Sequence, residues 1–466
     1  MIKKNLILLF LACLFQTSSR SQHIASGCAH TLFVCSDGTV RSWGRNHYGQ
    51  LGYSASDTTE KNYPYTLQGL SNVTMVAAGW YYSLALKNDS TVWSWGYNHN
   101  GELGLGDTIA RGIPEQITSL TGIVAIDASY FHSLALKNDG TVWAWGRNSS
   151  GELGTGDILN RSIPVQVLNL TGVVAISCGY GHSAALKSDG TVWVWGDNSY
   201  GQLGDSTFSP KLTPIEVTRI SGIKSVTCGA WHTVVLKVDS TVWAWGINGY
   251  GTLGNNSTID SSVPVQAYFI SGIIKVEACG AQNFAIKNDG SIWAWGRNSY
   301  SQYLPDTNLL WNQDYPIMIS ALTGLAEIEI GVQHGHALKN DGTLWSWGDN
   351  TNGQLGIGWY YYNSFYTGIP MEIPGACSPT ISIDEVELNE VNIYPNPFSV
   401  ETIISFQQER SNTVIKVTDV FGKLIKVINV SGKQIHLSRE EMKAGIYFVE
   451  IVNENKIVAN RKIIIQ

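Results

Sequence analysis

One eight-residue segment, DGTVWAWG at 139–146, returns in related form along most of this chain. Its closing Trp-Gly pair occurs seven times, and successive glycines of these pairs are separated by 52, 50, 50, 50, 50 and 52 residues. A period of this length is typical of an array of identical supersecondary units, each of which needs its neighbours to bury its apolar face. Residues 23–376 are therefore limited to a repeated architecture.

One unit, residues 121–170, has the pattern of four short strands. Gly122–Ala128 and His132–Lys137 are strand-like apolar segments, and a tight Asn-Asp-Gly turn leads to the β-branched and aromatic Thr141–Trp145. The fourth segment contains Pro164 and is expected at a sheet edge, since proline cannot donate within a ladder. Four strands in each of seven units predict an all-β fold, a seven-bladed β-propeller.

The units also resemble a known family, the regulator of chromosome condensation repeat. The fourth unit shows the shared motif in order along the chain: Gly179-Tyr180-Gly181-His182, then Asp189-Gly190-Thr191-Val192-Trp193, then Asn198 and Gly201-Gln202-Leu203-Gly204. The motif recurs from about residue 23 to residue 376. The resemblance implies the same propeller fold.

Four units depart from the repeat. Asp89-Ser90 and Asp239-Ser240 replace the Asp-Gly turn, so we expect these hairpins to use another turn type. The sixth unit has Gln282 in place of histidine, and its Gly-to-His loop is expected to shorten to Gly280-Ala281. The seventh unit carries an aromatic insertion at 359–366.

Histidine stands at one repeat position in five units, with Tyr82 and Gln282 in the other two: His30, His132, His182, His232 and His334. Metal binding by this set is not favoured, because equivalent positions on separate blades do not converge on one ion. We expect each histidine to make a hydrogen bond inside its own blade.

The six cysteines after residue 22 divide by position. Cys178, Cys228 and Cys279 precede the repeat glycine, where we expect a small, buried strand position. No paired Cys-x-x-Cys spacing supports a metal site. Cys28, Cys35 and Cys377 stand apart, and one pair of them could form a disulfide in an exported protein. The sequence leaves that pairing open.

The loop between the repeat glycine and the histidine is the candidate binding site. All seven loops should project on one face of the propeller, around the mouth of its channel. Two interpretations stay open: the aromatic residues anchor a partner, or they pack together and close the channel. The candidates are Trp80, Tyr81, Tyr130, Phe131, Tyr180, Trp231 and Gln333, with Trp359 and Tyr361 of the insertion.

Catalysis is not predicted. In the exchange-active members of the resembled family, an aspartate directly precedes the histidine. The corresponding residues here include none that is acidic: Ala29, Tyr81, Phe131, Gly181, Trp231, Ala281 and Gln333. No nucleophile triad, phosphate loop or zinc motif is present. We therefore expect no enzyme activity, no cofactor and no metal.

Both ends of the chain carry export features. Lys3 and Lys4 precede the apolar run Leu6–Phe15, which predicts a signal peptide over residues 1–22. After a linker at 377–390, residues 391–466 have the turn spacing of a small Ig-like β-sandwich. They resemble the type A sorting domain of the Bacteroidetes type IX secretion system through Tyr394-Pro395-Asn396-Pro397, Gly422-Lys423 and Gly445-Ile446-Tyr447. That resemblance implies passage across the outer membrane.

Charge narrows the partner class. The repeat array has a net charge of −9, against −7 for the whole chain, whereas a nucleic-acid reader needs a basic face. The sequence predicts a secreted or surface-held, non-enzymatic propeller that binds a protein or glycan and meets the type IX machinery through residues 391–466. The alternative is a protein that binds or acts on extracellular polysaccharide. An enzyme of that kind needs paired carboxylates at the channel mouth, and the Gly-to-His loops supply none.

Overall fold

The computed structural model of this chain consists of strands, with no helix in the residues it describes, so the all-β prediction is confirmed. None of these residues belongs to a helix that could cross a membrane. The chain divides into two compact units, Met1–Ser378 and Pro379–Gln466. The described residues are 23–298, 312–319, 322–358, 366–377, 391–394, 398–419, 424–439, 442–443, 445–453 and 456–465.

In the first unit, the described residues form seven four-stranded antiparallel sheets, each made of four consecutive strands. The first three sheets contain β1 Ile24–Ser26, β2 His30–Val34, β3 Val40–Gly44 and β4 Lys61–Thr66; β5 Val73–Ala78, β6 Tyr82–Lys87, β7 Val92–Gly96 and β8 Arg111–Gln116; β9 Ile123–Ala128, β10 His132–Lys137, β11 Val142–Gly146 and β12 Arg161–Gln166. The next two contain β13 Val173–Cys178, β14 His182–Lys187, β15 Val192–Gly196 and β16 Lys211–Glu216; β17 Ile223–Cys228, β18 His232–Lys237, β19 Val242–Gly246 and β20 Ser261–Gln266. The last two contain β21 Ile273–Cys279, β22 Gln282–Lys287, β23 Ile292–Gly296 and β24 Gln313–Ile319; β25 Leu325–Ile330, β26 His334–Lys339, β27 Leu344–Asp349 and β28 Tyr366–Glu372.

The seven sheets close into a ring. The first strand of each sheet contacts the first strand of the next, and β25 of the seventh sheet contacts β1 of the first. The proline-bearing fourth strand pairs with the third strand alone, at the outer edge of its sheet, as the sequence predicts. This arrangement places every Gly-to-His loop at one end of the central channel and every Asp-Gly hairpin at the other.

The second tryptophan of each motif builds the core between sheets. Trp145 of the third sheet packs with Leu84 and Leu103 of the second sheet. Each such core is therefore shared by two neighbouring sheets, which is why a single unit cannot bury its apolar face alone. The seven buried tryptophans, none with measurable exposure, are Trp43, Trp95, Trp145, Trp195, Trp245, Trp295 and Trp347.

The expectation of a different turn at the two Asp-Ser hairpins is wrong. Ser90 and Ser240 have φ values of 64° and 66°, in the same left-handed region as Gly140 at 77°. The closing bond is also the same, since the Ser90 N–H donates to the Lys87 carbonyl at 2.9 Å. Serine thus takes a backbone conformation that favours glycine, at a conformational cost.

The described residues of the second unit form one five-stranded sheet. In it, β29 Val391–Tyr394, β30 Glu401–Asp419, β32 Gly445–Asn453 and β33 Lys456–Ile465 are hydrogen-bonded in that order, and β31 Leu424–Ser438 pairs with β30. Its core includes the fully buried Ile404, Ile415 and Val449. These strands agree with an all-β tail, and the Ig-like topology stays a prediction.

Candidate functional site

The repeated histidines join neighbouring sheets, so the expectation of a bond inside one blade is wrong. His132 Nε2 of the third sheet lies 2.9 Å from Ser183 Oγ of the fourth. The Ser183 hydroxyl donates to the Glu152 carbonyl at 2.8 Å, and the Trp195 indole donates to that same carbonyl at 2.7 Å. The first residue of the second strand thus points into the interface between sheets, a direction that sequence spacing does not reveal.

A glycine three residues earlier makes room for the rings of His30, His182, His232 and His334, whereas Ser129 stands at that position before His132. A Cβ atom added at Gly179 would lie 2.2 Å from Cε1 of His182, which is far inside van der Waals contact. Because the serine hydroxyl is committed to a carbonyl, the histidine Nε2 carries the proton of this bond. Burial lowers the pKa of His132 and of His182 to about 3, so both rings are neutral near pH 7.

Tyrosine and glutamine replace histidine because the position needs only a donor that reaches the next sheet. The Tyr82 hydroxyl donates to the His132 carbonyl at 2.7 Å, and Gln282 Nε2 donates to the Gly331 carbonyl at 3.0 Å. These contacts account for the two exceptions in the repeat.

The first and last sheets are joined by an indole-to-carbonyl hydrogen bond of the kind that Trp195 makes, and also by a disulfide. The Trp43 indole donates to the Gln354 carbonyl at 2.8 Å across this junction. Cys35, which follows β2, is bonded to Cys377, which follows β28, and Cys28 stays a free thiol. The structure thus selects one pairing from the alternatives that the sequence leaves open, and the predicted linker begins at a cysteine bonded to the first sheet.

The candidate aromatic residues meet at one mouth of the channel. The Trp80 ring centroid lies 4.5 Å from that of Tyr130, and the Tyr130 centroid lies 4.7 Å from that of Tyr180. Tyr180 in turn lies 5.5 Å from Trp231. The mouth cluster, as we call it, consists of Trp80, Tyr81, Tyr130, Phe131, Tyr180 and Trp231 with Tyr48, Tyr97 and Tyr200.

Sequence reasoning missed the last three rings and two arginines. The Arg45 guanidinium lies 5.0 Å from the Tyr81 centroid, and that of Arg147 lies 5.0 Å from the Tyr180 centroid, both within cation–π range. Arg147 is also 3.2 Å from the buried Glu152 carboxylate. Arg45, Tyr97 and Arg147 each follow a Trp-Gly pair. This shared repeat position is the sequence feature by which they could have been predicted to lie together.

Three sequence candidates are not among the residues that define the mouth cluster. Gln333 lies in the equivalent loop of the seventh sheet, where its carbonyl accepts the Asp349 N–H at 2.9 Å. Trp359 and Tyr361 lie outside the described residues. The structure therefore places six of the nine sequence candidates in one continuous surface.

The strand register of the sixth sheet shows that Cys279 is not equivalent to Cys178 and Cys228. Ala278 pairs with Asn283 as Cys228 pairs with Thr233, so Cys279 occupies the position of the repeat glycine. The loop Gly280-Ala281 consequently has the ordinary length, and the expected shortening is wrong. Cys178 and Cys228 are buried as predicted.

A narrow cavity below the mouth cluster is lined by strand residues of the sheets that surround it. Burial is the main cause that raises the pKa of the Cys28 thiol, one of its lining groups, to about 11. Three carboxylates also line it, those of Asp127, Glu277 and Glu329. They come from the innermost strands, whereas sequence reasoning searched only the loops for acidic residues. Within the described ranges, no three His, Cys, Asp or Glu residues are grouped to hold a metal ion.

A closed ring of four-stranded sheets around a central channel defines a β-propeller. This chain belongs to the RCC1-like domain family, whose match covers residues 108–380, more than half of the chain. Further matches to the regulator of chromosome condensation (RCC1) repeat cover 37–86, 22–50 and 73–102. Residues 392–466 match the secretion system C-terminal sorting domain, which indicates export.

Similar proteins extend this comparison. The Ultraviolet-B receptor UVR8 of Arabidopsis thaliana is 41% identical over 90 residues, which are 19% of this chain and 20% of the receptor. Human Protein RCC2 is 38% identical over 97 residues, 20% of this chain and 18% of that protein. The chain thus matches about a fifth of the length of these curated relatives.

Solved structures share the fold at lower identity. Human WBSCR16 has a TM-score of 0.64 and 22% identity, covering 72% of this chain and 94% of its own. Prp20p from Saccharomyces cerevisiae has a TM-score of 0.66 and 21% identity, covering 88% and 94%. These similarities establish the propeller fold.

Proposed function

We propose that this chain is an exported, non-enzymatic propeller that binds a protein through the mouth cluster. In this proposal the seven sheets are the blades of a seven-bladed propeller, and residues 1–22 are a signal peptide. Residues 391–466 form an Ig-like sandwich that meets the type IX secretion machinery. The mature protein then works outside the cell or at its surface.

The observation that carries this proposal is the uneven distribution of aromatic residues among equivalent loops. Ala29 and Gly181 fill the position directly before the histidine in the first and fourth sheets, and Ala281 fills it before Gln282 in the sixth, whereas Phe131 and Trp231 fill it in the third and fifth. Because small residues satisfy the fold at this position, the large rings are not needed for ring closure. Large aromatic side chains that a fold does not need, placed on loops, are typical of binding surfaces.

A protein suits the mouth cluster better than a glycan does. Trp80 packs edge-on against Tyr130 and stacks on Phe131, with centroids 4.5 and 5.6 Å away. A sugar needs an open ring face for stacking, and the rings at the centre of the cluster are half-buried by each other. Tyr48 and Tyr200, each 38% exposed, lie at opposite ends of the cluster and supply accessible contact area. Tryptophan, tyrosine and arginine are also the residues most enriched at protein-binding hot spots.

Fold relatives support the same class of function. Prp20p binds Gsp1p and histones, and a structure of the same yeast protein has been solved with Kap60 bound. Those partners are partners of Prp20p, and none of them is assigned to this chain. At about a fifth identity they support only the use of a propeller of this fold to bind proteins.

The test is capture of a partner from the medium and cell surface of the producing cells, with residues 23–466 as bait. We expect a protein partner whose affinity falls about 30-fold or more in the double variant Tyr48→Ala/Trp231→Ala, since a hot-spot tryptophan contributes about 2 kcal/mol or more. The matched control is Tyr268→Ala/Phe269→Ala, which removes two exposed, mutually packed rings at the opposite end of the sheets.

Equal capture by the first double variant and by the wild type would exclude the mouth cluster as the binding site. A glycan array run with the same bait tests the alternative function, a protein that binds or acts on extracellular polysaccharide. Glycan binding without a protein partner would support the polysaccharide interpretation, and turnover of that glycan would make this protein an enzyme.

A further inference from the structure

A bulky residue stands in a strained turn on the rim of the ring. Phe269 follows β20 and has a φ of 57°, in the left-handed region that large side chains avoid. Among the described residues, the other non-glycine residues with positive φ are asparagine or serine, which are smaller and polar. At the equivalent turns of the first and third sheets stand Gly69 and Asn169, with φ values of 77° and 55°. Phenylalanine is therefore a costly choice for this turn.

The ring of Phe269 is also 76% exposed, so the fold gains little apolar burial from it. The second and fourth sheets have Ser119 and Arg219 at the equivalent position, which shows that a polar residue satisfies the fold there. Strain and exposure that a fold does not require are concentrated at functional positions.

Two tyrosines extend the exposed surface of Phe269. The Phe269 ring centroid lies 5.7 Å from that of Tyr268 and 6.1 Å from that of Tyr315, which belongs to β24 of the sixth sheet. Tyr268 is 48% exposed and Tyr315 is 40% exposed. We call these three residues the rim platform. The connection between β20 and β21, which carries Tyr268 and Phe269, lies at the end of the channel opposite the mouth cluster.

The rim platform is too small for a stable protein interface. Its exposed area is on the order of 300 Å², if a whole aromatic side chain presents about 200 Å². A stable interface buries roughly 800 Å² on each partner. None of the three side chains is charged, so the platform is complementary to a neutral ligand of limited size.

The chemistry of the rim platform suits a sugar ring. The C–H groups on the face of a sugar carry partial positive charge, which packs favourably on the negative face of an aromatic ring. Trp80 and Tyr130 of the mouth cluster cover each other, whereas the exposure of Phe269 leaves its ring face open. Within the described part of the chain, no hydrogen bond engages the hydroxyl groups of Tyr268 and Tyr315, so both can bond sugar hydroxyls.

We propose that the rim platform binds a neutral β-linked glucan, with a glucose ring stacked on Phe269 and its hydroxyl groups bonded to Tyr268 and Tyr315. Glucose is favoured because its equatorial hydroxyl groups leave both faces of the ring flat, whereas an axial hydroxyl group interrupts one face. This site is separate from the mouth cluster and stands independently of the proposed function.

The probe is cellohexaose, a β-1,4-linked chain of glucose, titrated into residues 23–466 by calorimetry. The matched ligand is β-1,4-mannohexaose, which has one axial hydroxyl group on each ring. We expect saturable binding of cellohexaose, with mannohexaose at least threefold weaker. Phe269→Asn copies the turn of the third sheet, so it should lower the affinity at least tenfold and raise the thermal midpoint. Phe269→Trp should keep the affinity within threefold, and Phe208→Ala, at another exposed ring, should keep it within twofold.

The absence of cellohexaose binding, equal affinity for mannohexaose, or unchanged affinity in Phe269→Asn would overturn the proposal. Should Phe269→Asn fail to fold, Tyr315→Ile copies Ile163 of the third sheet and should lower the affinity at least threefold. Sedimentation of the wild type and of Phe269→Asn tests the remaining occupant. A dimer that dissociates in this variant would assign the rim platform to contacts between copies of the chain and would also overturn the proposal.

The two proposals fail separately. The mouth variant Tyr48→Ala/Trp231→Ala should keep the full affinity for cellohexaose, and Phe269→Asn should keep the protein partner of the mouth cluster. Loss of that protein partner in Phe269→Asn, with cellohexaose binding unchanged, would make the rim platform part of a protein interface and overturn the glucan site.

Discussion

The backbone carbonyl of Gln50 accepts the indole N–H of Trp95 at 2.8 Å, across the junction between the first and second sheets. The Ser83 hydroxyl donates to the same oxygen at 2.8 Å and lies 3.1 Å from His30 Nε2. Both lone pairs of a buried carbonyl are thus satisfied by side chains of the next sheet. This four-residue junction recurs around the ring and makes neighbouring sheets interdependent.

Removing one hydroxyl from a junction should destabilise the whole ring. Ser183→Ala deletes the partner of His132 and one donor to the Glu152 carbonyl, both in a fully buried site. We expect the free energy of unfolding to fall by about 1–3 kcal/mol, the cost of leaving a buried donor without an acceptor. Chemical denaturation measures it, with Ser188→Ala at an exposed turn as control. A loss no larger than that of the control would contradict the structural role of the junction.

Acid should unfold this protein through its buried histidines. Burial lowers the pKa of His30, His132 and His182 to about 3 and that of His232 to about 4, against 6.5 in the unfolded chain. The unfolded state therefore binds more protons between these values, so stability is present above about pH 6.5 and is lost as the pH falls towards 4.

Burial also lowers the pKa of His336 to about 3 and that of His334 well below its ordinary value. Six such groups set the steepness of this loss at on the order of 8 kcal/mol per pH unit. Denaturant unfolding at pH 7, 6 and 5 measures the slope. His232→Gln, which copies Gln282 of the sixth sheet, should reduce the slope by the contribution of one titrating histidine. A stability that stays constant from pH 7 to pH 5 would exclude this mechanism.

Replacing one buried carboxylate by its amide should stabilise the ring near pH 7. Glu102 is fully buried, and burial raises its pKa, so its ionised form costs free energy in the folded state. This group favours folding below pH 4.5, and that contribution is lost as the pH rises through its folded pKa. Gln50 and Gln202 occupy the equivalent position and accept the same kind of loop N–H, at 3.0 and 2.9 Å.

We expect Glu102→Gln to raise the free energy of unfolding by about 0.5–1 kcal/mol at pH 7, on the scale of a single polar contact. The gain should shrink as the pH falls below 4.5, where the carboxyl group becomes protonated in both states. Gln50→Glu is the reverse variant and should destabilise the ring at pH 7. A loss of stability in Glu102→Gln would show that the charge itself is needed.

Reducing the Cys35–Cys377 disulfide should weaken the junction between the first and last sheets. Cys35 and Cys377 are separated by 342 residues, so the bond restricts a long segment of the unfolded chain. We expect Cys35→Ser/Cys377→Ser to lose about 2–4 kcal/mol. Thermal unfolding with and without reductant checks this, because the double variant should be insensitive to reductant. Cys228→Ser serves as control, since Cys228 is a buried cysteine outside the disulfide.

Glycine should be preferred at the two serine hairpins. Ser90 has a φ of 64°, a region that costs an L-residue roughly 1–2 kcal/mol. Ser90→Gly should raise the thermal midpoint, although the more flexible unfolded chain offsets part of the gain. Gly140→Ser at the equivalent turn should lower it. The prediction fails if both substitutions shift the midpoint in the same direction.

The sequence was sufficient for features that repeat and insufficient for features that depend on a neighbouring sheet. The Trp-Gly period and the hairpin turns predict four strands in each unit, because strand pattern and turn chemistry are local. The partner of His132 lies 51 residues away, and its direction follows from the twist of packed sheets. The turn at Ser90 was mispredicted because closure of the hairpin outweighs the preference for glycine.

The same distinction applies to the candidate site: the positions of its loop residues were predictable, and its contacts between sheets were not. Loops at equivalent repeat positions must project together, and this placed Trp80 and Trp231 on one surface. Arg147 was missed because its contacts with Phe131 and Tyr180 join two different loops of neighbouring sheets. Asp127 was missed because it belongs to a strand, where an alternating pattern does not show which residues face the channel.

The disulfide that joins the first and last sheets has a consequence for transport. Every described sheet of the first unit is complete within its own stretch of chain, so no strand is exchanged between the ends of the ring. Once Cys35 and Cys377 are bonded, the polypeptide between them is a covalent macrocycle that has no free end. Such a molecule cannot pass through a pore as one extended thread. Transport after oxidation must therefore carry either two chains side by side or the folded ring whole.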